Sequence, residues 1–422
     1  MSGWSLSRRP SYPTQMLSVV VLGWATLQIA RFLLPPLLPR ITDSLGFSPG
    51  GIGLALTAFG LVYAAVQYPS GTYSDALSRA TLLVPGLLVL LVSVVVLAAA
   101  VTPWLFVGGI VVLGVGKGLF ASPSRALVSD LFDAQRGRAL GVYSAGTDLG
   151  ALAASGLAVA TLAVGLGWRL AFLPVLAGLG LVTVLFLLWN RESYELRWVQ
   201  LAPRETAGRI AATREQRELV AAFALFYFVV GGLANFFPTL LVEAGFSEAA
   251  AGGSFALLFA VGLVAKPGAG ELSDRFSRLL VGGAGFALAA GGLAVVLLAP
   301  SLPVVAVGTV LVAAGYKIQF PIADAAVMEA APAGRVGADI GAARALFLGA
   351  NALGPGVVGL VAELATFAVA FWLLVAGVAG WGGLLARRHP GGGLPTIAQR
   401  LYANTLFSRF LGGVSEAPPP AV

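Results

Sequence analysis

The sequence predicts an all-α integral membrane protein: twelve transmembrane helices arranged as two pseudo-symmetric six-helix bundles. Three observations carry that prediction. Hydrophobic residues make up 58% of the 422-residue chain and charged residues 11%, against about 25% charged in a soluble chain. The apolar residues gather in runs long enough to cross a bilayer, which takes about 20 residues of helix. The second half repeats short motifs of the first at a nearly constant offset, the mark of a duplicated bundle.

Taken in order, the runs lie near 16–38, 50–70, 80–101, 104–125, 139–163 and 168–189, then 219–242, 249–270, 279–299, 303–326, 338–362 and 365–386. We call them spans 1 to 12. The first follows Arg8 and Arg9, as a signal peptide would, but it is too long for one, contains Arg31 and leads into further spans. The organisation expected is a cytoplasmic N-terminus (1–15), a first bundle (16–189), a polar linker (190–217), a second bundle (218–388) and a tail (389–422). The tail places Ile397, Leu401, Phe407, Phe410 and Leu411 at roughly helical spacing, so either an interfacial helix or an unstructured end fits it. The 55 glycines suit close helix packing in lipid.

Charge sets the orientation. With an even number of spans, nineteen of the 26 Lys and Arg residues fall on the side of the termini and linker, two (Arg40 and Arg169) on the other, and five inside spans. Positive charge is retained on the cytoplasmic side, so both termini are expected there, in the cell membrane. The same bias accounts for the net charge of +7 without nucleic acid as a partner.

The two halves repeat. Gly46-Phe47-Ser48 matches Gly245-Phe246-Ser247, and Gly71, Asp75 and Arg79 match Gly270, Asp274 and Arg278, at one offset of 199 residues. Lys117 and Phe120 match Lys317 and Phe320 at an offset of 200. Arg31-Phe-Leu-Leu-Pro35 also parallels Ala234-Asn-Phe-Phe-Pro238. The stretches Gly71-Thr-Tyr-Ser-Asp75-Ala-Leu-Ser-Arg79 and Gly270-Glu-Leu-Ser-Asp274-Arg275-Phe-Ser-Arg278 resemble the duplicated loop signature of the major facilitator superfamily, G-x-x-x-D-R/K-x-G-R/K. The first copy has Ala76 in place of the basic residue, and both replace the second glycine, with Ser78 and Ser277. The resemblance runs from span 1 to span 12. It implies a transporter working by alternating access, with Gly71, Asp75, Arg79, Gly270, Asp274, Arg275 and Arg278 as a gating motif. Physically, glycine permits a close turn where a helix leaves the membrane, and an Asp there suits the positive end of a neighbouring helix. We expect Asp75 to face the start of span 11 and Asp274 the start of span 5.

An ionisable side chain at mid-bilayer costs about 2.5–3.5 kcal/mol on insertion scales, so each needs a reason. Arg31 falls in span 1, Lys117 in span 4, Lys317 in span 10 and Asn235 in span 7. The resemblance places those four spans around a central cavity, so these residues are the expected substrate-binding set, with structural ion pairing as the alternative. Lys266 and Arg344 lie nearer the span ends and are expected to anchor at the membrane surface. Asp148 in span 5 and Asp324 in span 10 are candidates either for carrying a proton or for a permanent ion pair.

No enzyme is expected. There is no cysteine, which removes thiolate metal sites and thiol nucleophiles, and the one histidine, His389, follows the last span, so no histidine-based metal site is expected. Lys117 and Lys317 lack the neighbours of a Walker loop. No cofactor is implied. The expected function is secondary active transport of a small organic anion by a monomer in contact with membrane lipid, with protons as a second partner. The alternatives are proton-coupled export of hydrophobic or cationic compounds, and a non-transporting sensor on the same fold.

Overall fold

The computed structural model describes residues 11–132, 135–200, 214–276, 278–323 and 336–387. Asp324, His389 and the tail segment 395–411 lie outside them. The described residues form helices and connecting turns, with no strand among them.

Span 1 is a kinked pair of helices, Tyr12–Phe32 and Leu34–Leu45. The kink falls where Pro35 and Pro36 have no N–H to offer the carbonyls of Arg31 and Phe32. Spans 2 to 6 are Pro49–Ala76, Ala80–Ala98, Pro103–Leu131, Arg136–Ala163 and Phe172–Trp189, the last led in by a 3₁₀ turn at Trp168–Ala171. The second half supplies Arg214–Glu243, Glu248–Arg275, Arg278–Leu297, Leu302–Lys317, Val336–Leu364 and Phe367–Arg387. Span 10 bends at Ile318 and continues to Ala323. Ten spans are long and apolar enough to cross a membrane, and the remaining two carry the shorter apolar stretches Val281–Leu297 and Phe367–Val378.

Most helices run past the boundaries read from hydropathy. Span 2 was expected to end near residue 70 but continues to Ala76, and span 8 continues to Arg275. Gly71, Asp75, Gly270, Asp274 and Arg275 are therefore helical residues, not loop residues. Hydropathy marks only the hydrocarbon core, whereas backbone hydrogen bonding carries a helix on through the headgroup layer. For the same reason span 7 begins at Arg214, inside the stretch expected to be linker.

The repeated Gly-Phe-Ser has a local cause. Gly46 and Gly245 end their helices in the left-handed region, at φ 68° and 91°, a conformation that favours glycine. Two residues on, Ser48 and Ser247 cap the next helix, accepting from Gly51 N at 3.0 Å and Ala250 N at 3.2 Å.

The halves meet most closely on the side away from the termini and linker, here called the far side. There spans 2 and 11 touch backbone to backbone: a Cβ on Gly53 would lie 2.6 Å from Pro355 O, and one on Gly60 2.6 Å from Ala352 Cβ. Gly356 N donates to Thr57 Oγ1 at 2.9 Å across this contact. At its rim Glu363 of span 11 accepts from Ser48 Oγ at 2.9 Å and Gly50 N at 2.8 Å, an anion on the start of span 2. Arg40 of the first half pairs with Glu248 of the second at 2.7 Å. None of these far-side contacts was foreseen from the sequence, which drew attention only to the linker side.

Candidate functional site

Span 1 presents Trp24, Gln28 and Arg31 at helical spacing, so they share one face. Trp24 is fixed by stacking on Tyr143 at 5.2 Å and by donating from Nε1 to Thr147 Oγ1 at 2.9 Å. Tyr143 is in turn held by Ser124 at 2.7 Å, so spans 1, 4 and 5 are locked together. Against this wall lies Lys117. Its Nζ is 4.6 Å from the ring centre of Tyr63, 5.8 Å from Phe59 and 6.0 Å from Trp24. Among the described residues it makes no hydrogen bond or ion pair. Ring faces stabilise a desolvated cation by about 2 kcal/mol, which offsets part of the burial cost and leaves the charge available.

Arg31 shares one of those rings, with Cζ 5.1 Å from Phe59. Its Nη2 donates to Asn235 Oδ1 at 2.5 Å, and Asn235 Nδ2 donates to Gly231 O at 2.7 Å. This bond joins span 1 to span 7 and so crosses between the halves. Arg31 is 8% exposed, and its Nη1 has no hydrogen-bond partner among the described residues. An unmet buried donor of this kind is an energetic debit that a bound anion would relieve.

Lys317 sits elsewhere, in the second half. Its Nζ donates to Asp148 Oδ1 at 2.9 Å, while Lys266 Nζ donates to Asp148 Oδ2 at 2.5 Å. One carboxylate of the first half thus bridges two lysines of the second. The expectation that Lys266 anchors at the membrane surface is corrected: span 8 turns it onto Asp148, because an ammonium in the bilayer is stabilised far more by a carboxylate than by snorkelling. Gly262 makes room for the triad, since a Cβ there would lie 3.0 Å from Lys317 Cδ and 3.1 Å from Asp148 Oδ1. Lys317 also lies 4.0 Å from the ring centre of Phe259, which meets Phe32 edge-on at 4.7 Å. Phe32 in turn lies under Arg31 at 5.6 Å. The three expected cations therefore sit along one aromatic floor, Lys117 by Phe59, Arg31 between Phe59 and Phe32, and Lys317 beyond Phe259. They do not form a single point cluster.

The sequence singled out the charges and missed the rings, because Trp24, Phe59, Tyr63 and Phe259 look like any apolar residues in a span. Asp324 lies outside the described residues.

At the linker end of span 2, the Asp75 side chain is 81% exposed and 3.4 Å from Arg79, not set against another helix. Arg79 instead clamps span 2 to the end of span 4, donating to Asp130 Oδ2 at 3.0 Å and Ser74 Oγ at 2.9 Å. Gly71 has room for a side chain in this state, its nearest neighbour being Ser122 Oγ at 3.9 Å. In the second copy Gly270 and Asp274 are helical, Arg275 is exposed at the end of span 8, and Arg278 opens span 9.

Comparison with known proteins agrees with this architecture. The family model described as Major Facilitator Superfamily matches residues 20–347 and 219–412. The multidrug resistance protein MdtH of Cronobacter sakazakii is 28% identical over 236 residues, covering 53% of this chain and 54% of that protein. The hexuronate transporter of Bacillus subtilis is 26% identical over 226 residues, covering 49% of this chain and 51% of that protein. The chain thus spans about half the length of these relatives. The crystal structure of a bacterial homologue of the human lysosomal transporter Spinster, inward-facing and unoccupied, superposes with a TM-score of 0.77 at 18% identity, covering 90% of this chain and 98% of that one. At that identity the likeness is one of fold. With both six-helix halves matched by the family model, this chain belongs to the major facilitator superfamily of membrane transporters.

Proposed function

We propose that the protein is a secondary active transporter of a small organic anion, and that Arg31, Lys117, Lys317 and Asn235 hold the substrate. One observation carries this reading: of the five Lys and Arg residues read inside the spans, Arg31, Lys117 and Lys317 line the aromatic floor and Lys317 shares Asp148 with Lys266, so one described carboxylate serves this group, and among the described residues Lys117 has only ring faces for company. In a low-dielectric cavity such an excess attracts anions and repels cations. A carboxylate meeting Lys117 and the free Nη1 of Arg31 is held by charge-assisted hydrogen bonds. The name of the Bacillus relative, a hexuronate carrier, is in keeping with a carboxylate substrate.

Transport follows by alternating access, the two bundles rocking about this site. Spans 2 and 11 pack closely on the far side, and we take the linker side as cytoplasmic and as the side from which the cavity opens when they are closed. Asp75, Arg79 and their counterparts Asp274, Arg275 and Arg278 form the closure used when the cavity faces outward. Gly71, which has room beside it here, would meet its neighbours closely in that state, and we assign Gly270 the same part in the second half. Substrate reaching Lys317 and Lys266 competes with Asp148 for them, and a proton then takes the place of the lost ion pairs. Asp148 is in this way the coupling acid, with Asp324 assigned to the same role. Reporter fusions after Asn190 and at Val422 are expected to show both in the cytoplasm, and an external signal from either would refute the orientation.

Uptake into proteoliposomes, with and without a pH gradient, tests the substrate class. The panel is glucuronate, further mono- and dicarboxylates, and cationic dyes. We expect accumulation of at least one carboxylate and none of the dyes. The name of MdtH and the aromatic lining favour a second reading, export of hydrophobic compounds. Accumulation of dyes alone would establish it instead.

A further inference from the structure

The stretch from Asn190 to Gln200, between the two halves, forms neither helix nor strand. It is nonetheless held in place. An Asn190 turn sets its start, with Asn190 Nδ2 donating to Glu192 O at 3.0 Å. Glu192 Oε2 accepts from Ala80 N at 2.9 Å, Glu195 N donates to Thr81 Oγ1 at 3.0 Å, and Arg197 donates to Ala76 O. These bonds strap the segment across the turn between spans 2 and 3.

Beyond the turn, Ser193 faces the hollow it shares with Asp75, Arg79 and Asp130, and Arg197 reaches the protein. By contrast, Tyr194, Leu196 and Trp198 are 56%, 95% and 89% exposed. A leucine and a tryptophan turned almost wholly outward from a strapped segment are costly in water, since a fully buried side chain of that size is worth about 1.5–3 kcal/mol. The outer surface of span 6, which precedes them in the chain, is likewise apolar up to its end, with Leu187 50% and Leu188 71% exposed just before the turn. Since that surface faces lipid tails, its continuation past the end of the helix falls at headgroup depth. Trp and Tyr prefer that layer because one part of each ring is apolar and the other polar.

We propose that Tyr194, Leu196 and Trp198 insert into the headgroup region of the bilayer on the linker side, making this segment a lipid anchor that fixes the first bundle in depth. The strapping bonds hold the anchor to spans 2 and 3, so the second bundle moves against a half whose height in the membrane is set.

The chain has no cysteine, so single thiols can be introduced and spin-labelled one at a time. The positions are Tyr194→Cys, Leu196→Cys and Trp198→Cys, with Ser193→Cys and Glu195→Cys as the comparison positions. The protein is full length in phosphatidylcholine–phosphatidylglycerol nanodiscs. Collision rates are measured with oxygen, which concentrates in lipid, and with a water-soluble nickel chelate. We expect the oxygen-to-nickel ratio to be higher at 194, 196 and 198 than at 193 and 195, a period-two pattern. Labels at 196 and 198 as open to nickel as those at 193 and 195 would overturn the anchor. So would labels at 196 and 198 shielded from both reagents, which would mean that protein covers them.

Discussion

Asp148→Asn is expected to destabilise the protein by about 3–5 kcal/mol, the usual consequence of removing one partner from a buried ion pair. The Asp148 side chain is 2% exposed and Lys317 4% exposed. Without the carboxylate, two ammonium groups remain in the bilayer with each other as neighbours. Lys266, at 30% exposed, has some access to solvent, but Lys317 does not. Restoring charge balance at Lys317 should therefore recover most of the loss, so Asp148→Asn/Lys317→Gln should melt above Asp148→Asn alone. Thermal unfolding in detergent, followed by monodispersity, measures this. Asp148→Asn melting with the wild type would show that the triad does not hold the halves together.

Gly53→Leu is the second substitution with a large expected effect, and it should shift conformation while leaving the fold intact. The glycine lies where two rigid bundles meet, with Pro355 O 2.6 Å and Gly359 Cα 3.1 Å from a would-be Cβ. Overpacking of this kind costs about 1–3 kcal/mol. Here the halves relieve it by parting on the far side. At 1.4 kcal/mol per tenfold, that is roughly a five- to hundredfold gain in the far-side-open population. Thr57→Cys in both backgrounds supplies the reporter, since residue 57 is sealed in this contact. An impermeant maleimide added from the far side should label the Gly53→Leu protein at least about fivefold faster. Equal rates in two well-folded proteins would show that spans 2 and 11 do not form the gate.

The fold was legible because lipid imposes a crude rule, one apolar run per crossing, and because duplication wrote the same residues twice. The repeat also drew attention to Lys117, Lys317 and the Arg31–Asn235 neighbourhood, and Arg31 and Asn235 do meet across the halves. What pairs with what was less legible. Asp148 is 118 residues from Lys266 and 169 from Lys317, and nothing local distinguishes a lysine that snorkels from one turned inward. Glu363 looked like an ordinary residue at a span end, yet it caps a helix 313 residues away. Asp75 shows the opposite case. Its motif was plain, but its side chain is largely exposed, 3.4 Å from Arg79, and not set against the helix that the motif led us to expect.

The anion site itself is tested most directly at Lys117. This cation has ring faces around it and no ion pair among the described residues, so unlike Asp148 it can be neutralised without stranding a partner. Wild-type and Lys117→Gln proteins would be reconstituted side by side, and uptake measured for the carboxylate that the wild type accumulates best. An unchanged melting temperature with at least a tenfold loss of uptake, about 1.4 kcal/mol of lost binding, is the predicted result. A well-folded Lys117→Gln protein that takes up the same carboxylate at the wild-type rate would contradict the account.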